Sequence, residues 1–143
     1  MIVVVDTNVL VAGLLSPFGP PGEIVRMIAT GSLTVAYDAR MMAEYVEVLR
    51  RQKFSFNKEH VEAFLDQIRV TGLAAAGDPL PIHLPDQGDE PFLEVALAVR
   101  AQCLITGNVK HYPPGARQGL RVFTPREFIE SYRKSLRGQT RPR

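Results

Sequence analysis

The chain has a single cysteine, Cys103, among 143 residues. One thiol builds neither a disulfide framework nor a cysteine-rich zinc site. Cys103 lies in the apolar run Cys103-Leu104-Ile105, where it reads as a small buried hydrophobe in a reducing cytosol, so the expected location is cytoplasmic. No apolar run approaches the ~20 residues of a membrane span, so no membrane partner is expected. No Lys or Arg precedes Arg26, and Asp6 interrupts the apolar start early, so the beginning of the chain does not resemble a signal peptide. The three histidines, His60, His83 and His111, lack the spacing of a zinc motif. A glycine-rich phosphate loop and a Gly-x-Ser-x-Gly elbow are both missing. No acid follows Glu130, whereas Arg133, Lys134, Arg137, Arg141 and Arg143 do. Such an end reads either as a phosphate-contacting arm or as a solvated, disordered tail, and residues 137–143 are set apart as a basic tail.

What the chain does contain is enough for one domain, assigned to residues 1–136. Hydrophobic residues make up 45% and charged residues 22%, and the formal net charge is only +2, which suits a globular core without disulfides. Ile2 to Val5 are apolar at every position, the pattern of a strand buried on both faces. The spacing then predicts a helix over 8–15, a loop over the breaker-rich 16–22 and a helix over 23–29. A strand follows at 33–37, then a helix from the Asp38 cap to about 51 and a helix from the Asn57 cap to Gly72. One short strand is expected within 73–85. A helix starts at Asp89 or Glu90, with Pro91 in its first turn. Strands at 102–106 and 121–123 flank a loop over 107–119, and a last helix runs from Thr124 or Pro125 to about 136. There is no internal repeat. Strands alternating with helices argue for a parallel α/β sheet.

The acids carry the functional argument. Asp6 stands where the first strand ends, the edge at which open α/β sheets build their sites. It would equally serve as an N-cap for the next helix. Glu44 shares a helical side with Met41, Tyr45 and Val48, so it is expected to be partly buried and to need a partner. A surface pair with Arg40 is the plain alternative. Asp89 and Glu90 would suit a first helical turn, where acids complement the helix dipole, and Asp86 would suit the turn Pro85-Asp86-Gln87-Gly88. Convergence favours a site. If the first strand and the Cys103 strand are neighbours, Asp6 and Asn108 sit side by side, and the helix beginning at Asp89 delivers its N-terminus to the same edge. Three or four carboxylates there would repel one another unless divalent cations neutralise them. Oxygen ligands of this kind select Mg²⁺ or Mn²⁺ rather than zinc.

The ordered set Val4-Val5-Asp6-Thr7-Asn8-Val9-Leu10, Met42-Ala43-Glu44-Tyr45, Asp86-Gln87-Gly88-Asp89-Glu90-Pro91-Phe92-Leu93 and Leu104-Ile105-Thr106-Gly107-Asn108 resembles the PIN domain. The likeness extends to about Phe128 and is strongest to the branch of toxins from toxin–antitoxin systems. The resemblance implies a three-layer α/β/α fold around a central, mostly parallel sheet. It implies an endoribonuclease dependent on Mg²⁺ or Mn²⁺, with Asp6, Glu44 and Asp89 as the catalytic, metal-holding acids. Asn108 and Glu90 would help to hold metal, and Asn8, Thr106 and Asp86 would be supporting polar residues. It also implies RNA as substrate and a small antitoxin protein as partner, and leaves room for a homo-oligomer. The chain departs from the family at Asn108, where many members carry Asp. An amide offers an oxygen but no charge, so one ion or two both stay open. Two rivals follow: a PIN-like RNA-binding module without turnover, and a phosphatase with an aspartyl nucleophile. The latter enzymes usually show Asp-x-Asp, where this chain has Asp6-Thr7-Asn8.

Overall fold

The structure, a computed structural model, describes residues 1–140. Its elements in chain order are β1 (Ile2–Val5), α1 (Thr7–Leu15), α2 (Pro20–Ala29), β2 (Thr34–Tyr37), α3 (Ala39–Leu49) and α4 (Lys58–Thr71). They continue with β3 (Leu73–Ala74), α5 (Glu90–Ala98), β4 (Cys103–Ile105), β5 (Val122–Phe123) and α6 (Pro125–Thr140). The five strands form one parallel sheet in the order β3-β2-β1-β4-β5. The all-apolar run predicted as a doubly covered strand is the centre of this sheet, and Val3, Val4 and Val5 are fully buried.

Strands β1, β2 and β3 step outward in one direction, and α5 then carries the chain back across the sheet to β4. Because parallel crossovers are right-handed, reversing the direction of travel puts α5 on the opposite face from the helices of the first two crossovers. Its contacts agree for α2 and α4: α5 lies against β1, β2 and β4, while α2 packs on α1, α4 and α6, and α3 touches α1, α4 and α5. The result is the three-layer α/β/α arrangement. The strand order reverses between β1 and β4, and in such sheets the crevice opens outside the carboxyl ends of those strands.

Register decides who meets there. Val3, Val4 and Val5 lie opposite Cys103, Leu104 and Ile105. The next residues, Asp6 and Thr106, are therefore neighbours, and the Asp6 N–H donates to the Ile105 carbonyl at 2.9 Å. Asn108, expected beside Asp6, falls two residues further along in the loop. Cys103 is buried as expected, and burial pushes its thiol up to about 12, which leaves it inert at neutral pH.

The predicted caps at Asp38 and Asn57 both form, accepting from Met41 N at 2.9 Å and His60 N at 3.1 Å. Thr124 and Glu127 close a reciprocal capping box at the start of α6. Two helix boundaries differ from the sequence reading by three residues or more. Helix α2 begins at Pro20 rather than Glu23, because prolines in a first turn forfeit no hydrogen bond. Gly22 belongs to that turn, and a Cβ there would sit 2.2 Å from the Pro17 carbonyl oxygen, so the chain needs glycine at this close approach. Helix α6 continues to Thr140, past the start of the expected tail, and residues 141–143 of that tail lie outside the described residues. Among the described residues no helix is long and apolar enough to cross a membrane.

Candidate active site

Asp6 ends the central strand and occupies the N-cap position of α1, yet its side chain makes no cap hydrogen bond. The carboxylate turns to the β4 side instead. Its Oδ2 accepts from Thr106 Oγ1 at 2.9 Å and from Tyr112 Oη at 3.1 Å. Thr106 is fixed in turn, since its Oγ1 accepts the Asn108 N–H at 3.0 Å. Asp6 is only 5% exposed. Burial raises its proton affinity above the ordinary carboxylate value, against the pull of the Thr106 and Tyr112 hydroxyls.

Glu44 is carried to the same place by the residue next to it. Tyr45 is fully buried in α3, and its hydroxyl donates to the carbonyl of Val5, the last residue of β1. Burial lifts the Tyr45 phenol well above its usual value, so it remains a donor. That anchor pins α3 over the end of β1. Glu44 is half-buried, and its Oε2 accepts from the Thr7 hydroxyl. The surface pair with Arg40 does not form. Arg40 binds Asp38 at 2.6 Å and the buried Glu94 at 2.8 Å.

Asp89 stands at the N-cap position of α5 and, like Asp6, makes no side-chain cap bond. Its Oδ2 lies 3.0 Å from His111 Nδ1. Burial, followed by the charges of Asp6 and Asp86, raises its carboxyl to about 6. Asp6, Glu44 and Asp89 line one open cleft of ≈ 530 Å³ at the carboxyl edge of the sheet, with Thr7, Asn8, Arg51 and Phe54 in the same walls.

The remaining expected residues divide. Asn8 borders the cleft, and its Oδ1 accepts the Gly107 N–H at 2.9 Å, tying the first turn of α1 to the loop after β4. Thr106 supports Asp6 directly. Asp86 closes its own turn by accepting from Gly88 N at 2.8 Å and acts on the cleft only through its charge on Asp89. Glu90 is turned away: its Oε2 accepts the Leu84 N–H at 2.9 Å, and it faces His83. It is not among the cleft-lining residues, because consecutive helix positions point about 100° apart. Asn108 is exposed and does not line the cleft either. His111 and Tyr112 were missed. Each contacts one of the acids from a loop whose path no periodicity predicts.

Every acidic donor in the cleft is a hard carboxylate oxygen, the chemistry that suits Mg²⁺ or Mn²⁺. Asp89, raised to about 6 first by burial and then by the charges of Asp6 and Asp86, is a carboxyl whose ionised form a cation would stabilise. The acids line a wall rather than enclosing a point. Among the described residues, no group of three His, Cys, Asp or Glu side chains is gathered closely enough to hold an ion between them. The donors therefore fit a divalent ion in kind, and they leave much of its coordination to water and substrate oxygens, as Mg²⁺ commonly has.

Residues 2–110 match the family model described as PIN domain. No curated protein matches the chain.

Proposed function

We propose that this chain, which belongs to the PIN-domain family, is a divalent-metal-dependent endoribonuclease. PIN domains are typically nucleases and generally use divalent metals. The observation that carries the finer reading is that Asp6 and Asp89 both sit at helix N-cap positions without capping, and both face one cleft with Glu44. Acids that merely capped their helices would accept from the N–H groups two or three residues further on, and neither does.

An ion in this cleft would activate a water and stabilise charge on the scissile phosphate. The chain's own residues prepare for that. Thr106 and Tyr112 fix the Asp6 carboxylate through Oδ2. Thr7 fixes Glu44 through Oε2. His111 Nδ1 lies 3.0 Å from Asp89 Oδ2 and holds that carboxylate in place. Attack by water in line with the leaving oxygen needs no covalent enzyme intermediate.

The same reading makes the chain the toxin of a toxin–antitoxin pair, with a small antitoxin protein covering the cleft. The order of motifs around Asp6, Glu44, Asp89 and Thr106 supports that assignment. The test is direct. Single-stranded RNA incubated with the protein in Mg²⁺ or Mn²⁺ should be cut internally, and EDTA should stop the cutting. Cutting that survives EDTA rejects the metal mechanism. Absence of cutting on every RNA tried favours an RNA-binding module without turnover, a reading that the exposed, uncharged Asn108 supports.

A further inference from the structure

Between α3 and α4 the chain makes a short 3₁₀ turn, Gln52–Phe54, and then reverses at Ser55. Ser55 has φ 52°, the left-handed region that non-glycine residues seldom occupy. Such strain persists where the surroundings enforce it, and it clusters at functional sites. Here it brings Phe54 back over Phe56, with ring centroids 5.3 Å apart and planes 18° from parallel. Phe56 packs on the hydrophobic core, while Phe54 does not and lines the acid cleft. The pair is thus a stack anchored at one ring and presenting the other to the cleft. Lys53 Nζ lies 5.1 Å from the Phe54 centroid.

On the far side of the stack is a second cavity of ≈ 440 Å³, bordered by Arg50, Arg51, Gln52, Phe56 and Lys58. Arg51 borders both spaces, and Phe54 and Phe56 face one each. Among the described residues Lys53 and Lys58 make no ion pair. Arg50 and Arg51 bind Glu62 and Glu47 on the exposed surface, where such pairs contribute little and can be exchanged for phosphate. A positive groove interleaved with aromatic rings is what single-stranded nucleic acid requires, with phosphates on the cations and bases on the rings.

We propose that Phe54, with Arg51, Lys53 and Lys58 around it, forms a subsite for single-stranded RNA. One base stacks on Phe54, and the strand runs from the acid cleft into the neighbouring basic cavity. The subsite rests on the nuclease reading of the cleft and names which part of the strand is gripped beside it. It also favours unpaired strands, because a base inside a duplex already has both faces stacked on its neighbours and none free for Phe54.

The test measures binding in EDTA, so that no strand is cut. A fluorescent RNA hexamer is titrated by anisotropy against wild type, Phe54→Ala, Phe54→Trp and Lys58→Ala. Phe54→Ala should bind about tenfold more weakly, and Phe54→Trp should retain wild-type binding. An abasic nucleotide at one position of the hexamer should reproduce the loss with wild type and add nothing with Phe54→Ala. Lys58→Ala should reduce the slope of log affinity against log salt by about 0.7. Circular dichroism checks that each variant is folded. Wild-type affinity in a folded Phe54→Ala, a flat abasic scan, or no binding by wild type would overturn the subsite. Cleavage assayed separately keeps the two readings apart. The abasic pattern without cleavage supports the subsite and sinks the nuclease, and cleavage without the abasic pattern does the reverse.

Discussion

Asp6→Asn should lose about 10³-fold or more of RNA cleavage and keep its fold. The side chain lies at the end of the central strand, and Thr106 and Tyr112 hold its Oδ2. An amide oxygen can accept those same two bonds, so the local structure has no reason to change. What the amide cannot supply is charge for a bound cation. The loss of several kcal/mol of transition-state stabilisation corresponds to a drop of that size, at 1.36 kcal/mol per decade. Stability should be unchanged or slightly higher, since burial already disfavours the ionised form of Asp6. A purely structural Asp6 predicts retained activity. Activity is measured on single-stranded RNA in Mg²⁺, and the fold by thermal melting of the same preparation.

Asp89→Asn should stabilise the metal-free protein, and the gain should depend on pH. The Asp89 carboxyl is raised from 3.8 to about 6, first by burial and then by Asp6 and Asp86. The folded state therefore holds this proton more tightly than the unfolded chain does. Below pH 3.8 both states are protonated and Asp89 costs nothing. As pH rises to about 6 the unfolded state ionises first, and stability is lost across that interval. Above it the penalty is constant. The shift amounts to about 1–2 kcal/mol once its partial exposure is allowed for. Denaturant melts of wild type and Asp89→Asn should coincide near pH 3.5, separate between 4 and 6, and stay parallel above. Millimolar Mn²⁺ should reverse the order at pH 7, since a ligand of the folded state adds stability to wild type that the amide variant lacks. Parallel curves at every pH would contradict the charge cluster.

Much of this was legible in the chain. The run from Ile2 to Val5 announced a doubly covered strand, and its fully buried valines occupy the sheet centre. The helical neighbours of Glu44 announced its partial burial, because Met41 and Tyr45 fix which face of α3 turns inward. Alternation of strands and helices gave the parallel sheet. What escaped was set by pairing and loop path. Asn108 was expected beside Asp6, but register puts Thr106 there. Glu90 was expected to help hold metal beside Asp89, but one step along a helix turned it to Leu84 and His83. His111 and Tyr112 reach Asp89 and Asp6 from a loop after β4, and a partnership between residues 22 or 106 positions apart leaves no local periodic trace. The cluster at Pro20 and Pro21 read as a loop because breakers are ambiguous where they can also start a helix.

The central claim is that the cleft lined by Asp6, Glu44 and Asp89 binds a divalent cation whose coordination water and substrate oxygens complete. Crystals of the wild-type protein soaked in Mn²⁺ test it most directly, with data collected for anomalous scattering. One or two anomalous peaks should lie in the cleft within carboxylate-bonding distance of Asp6 and Asp89, with Glu44 bound directly or through water. Two peaks should stand about 3.5–4 Å apart. A cleft without a peak at saturating Mn²⁺, or peaks confined to surface carboxylates such as Glu47 and Asp66, would contradict it.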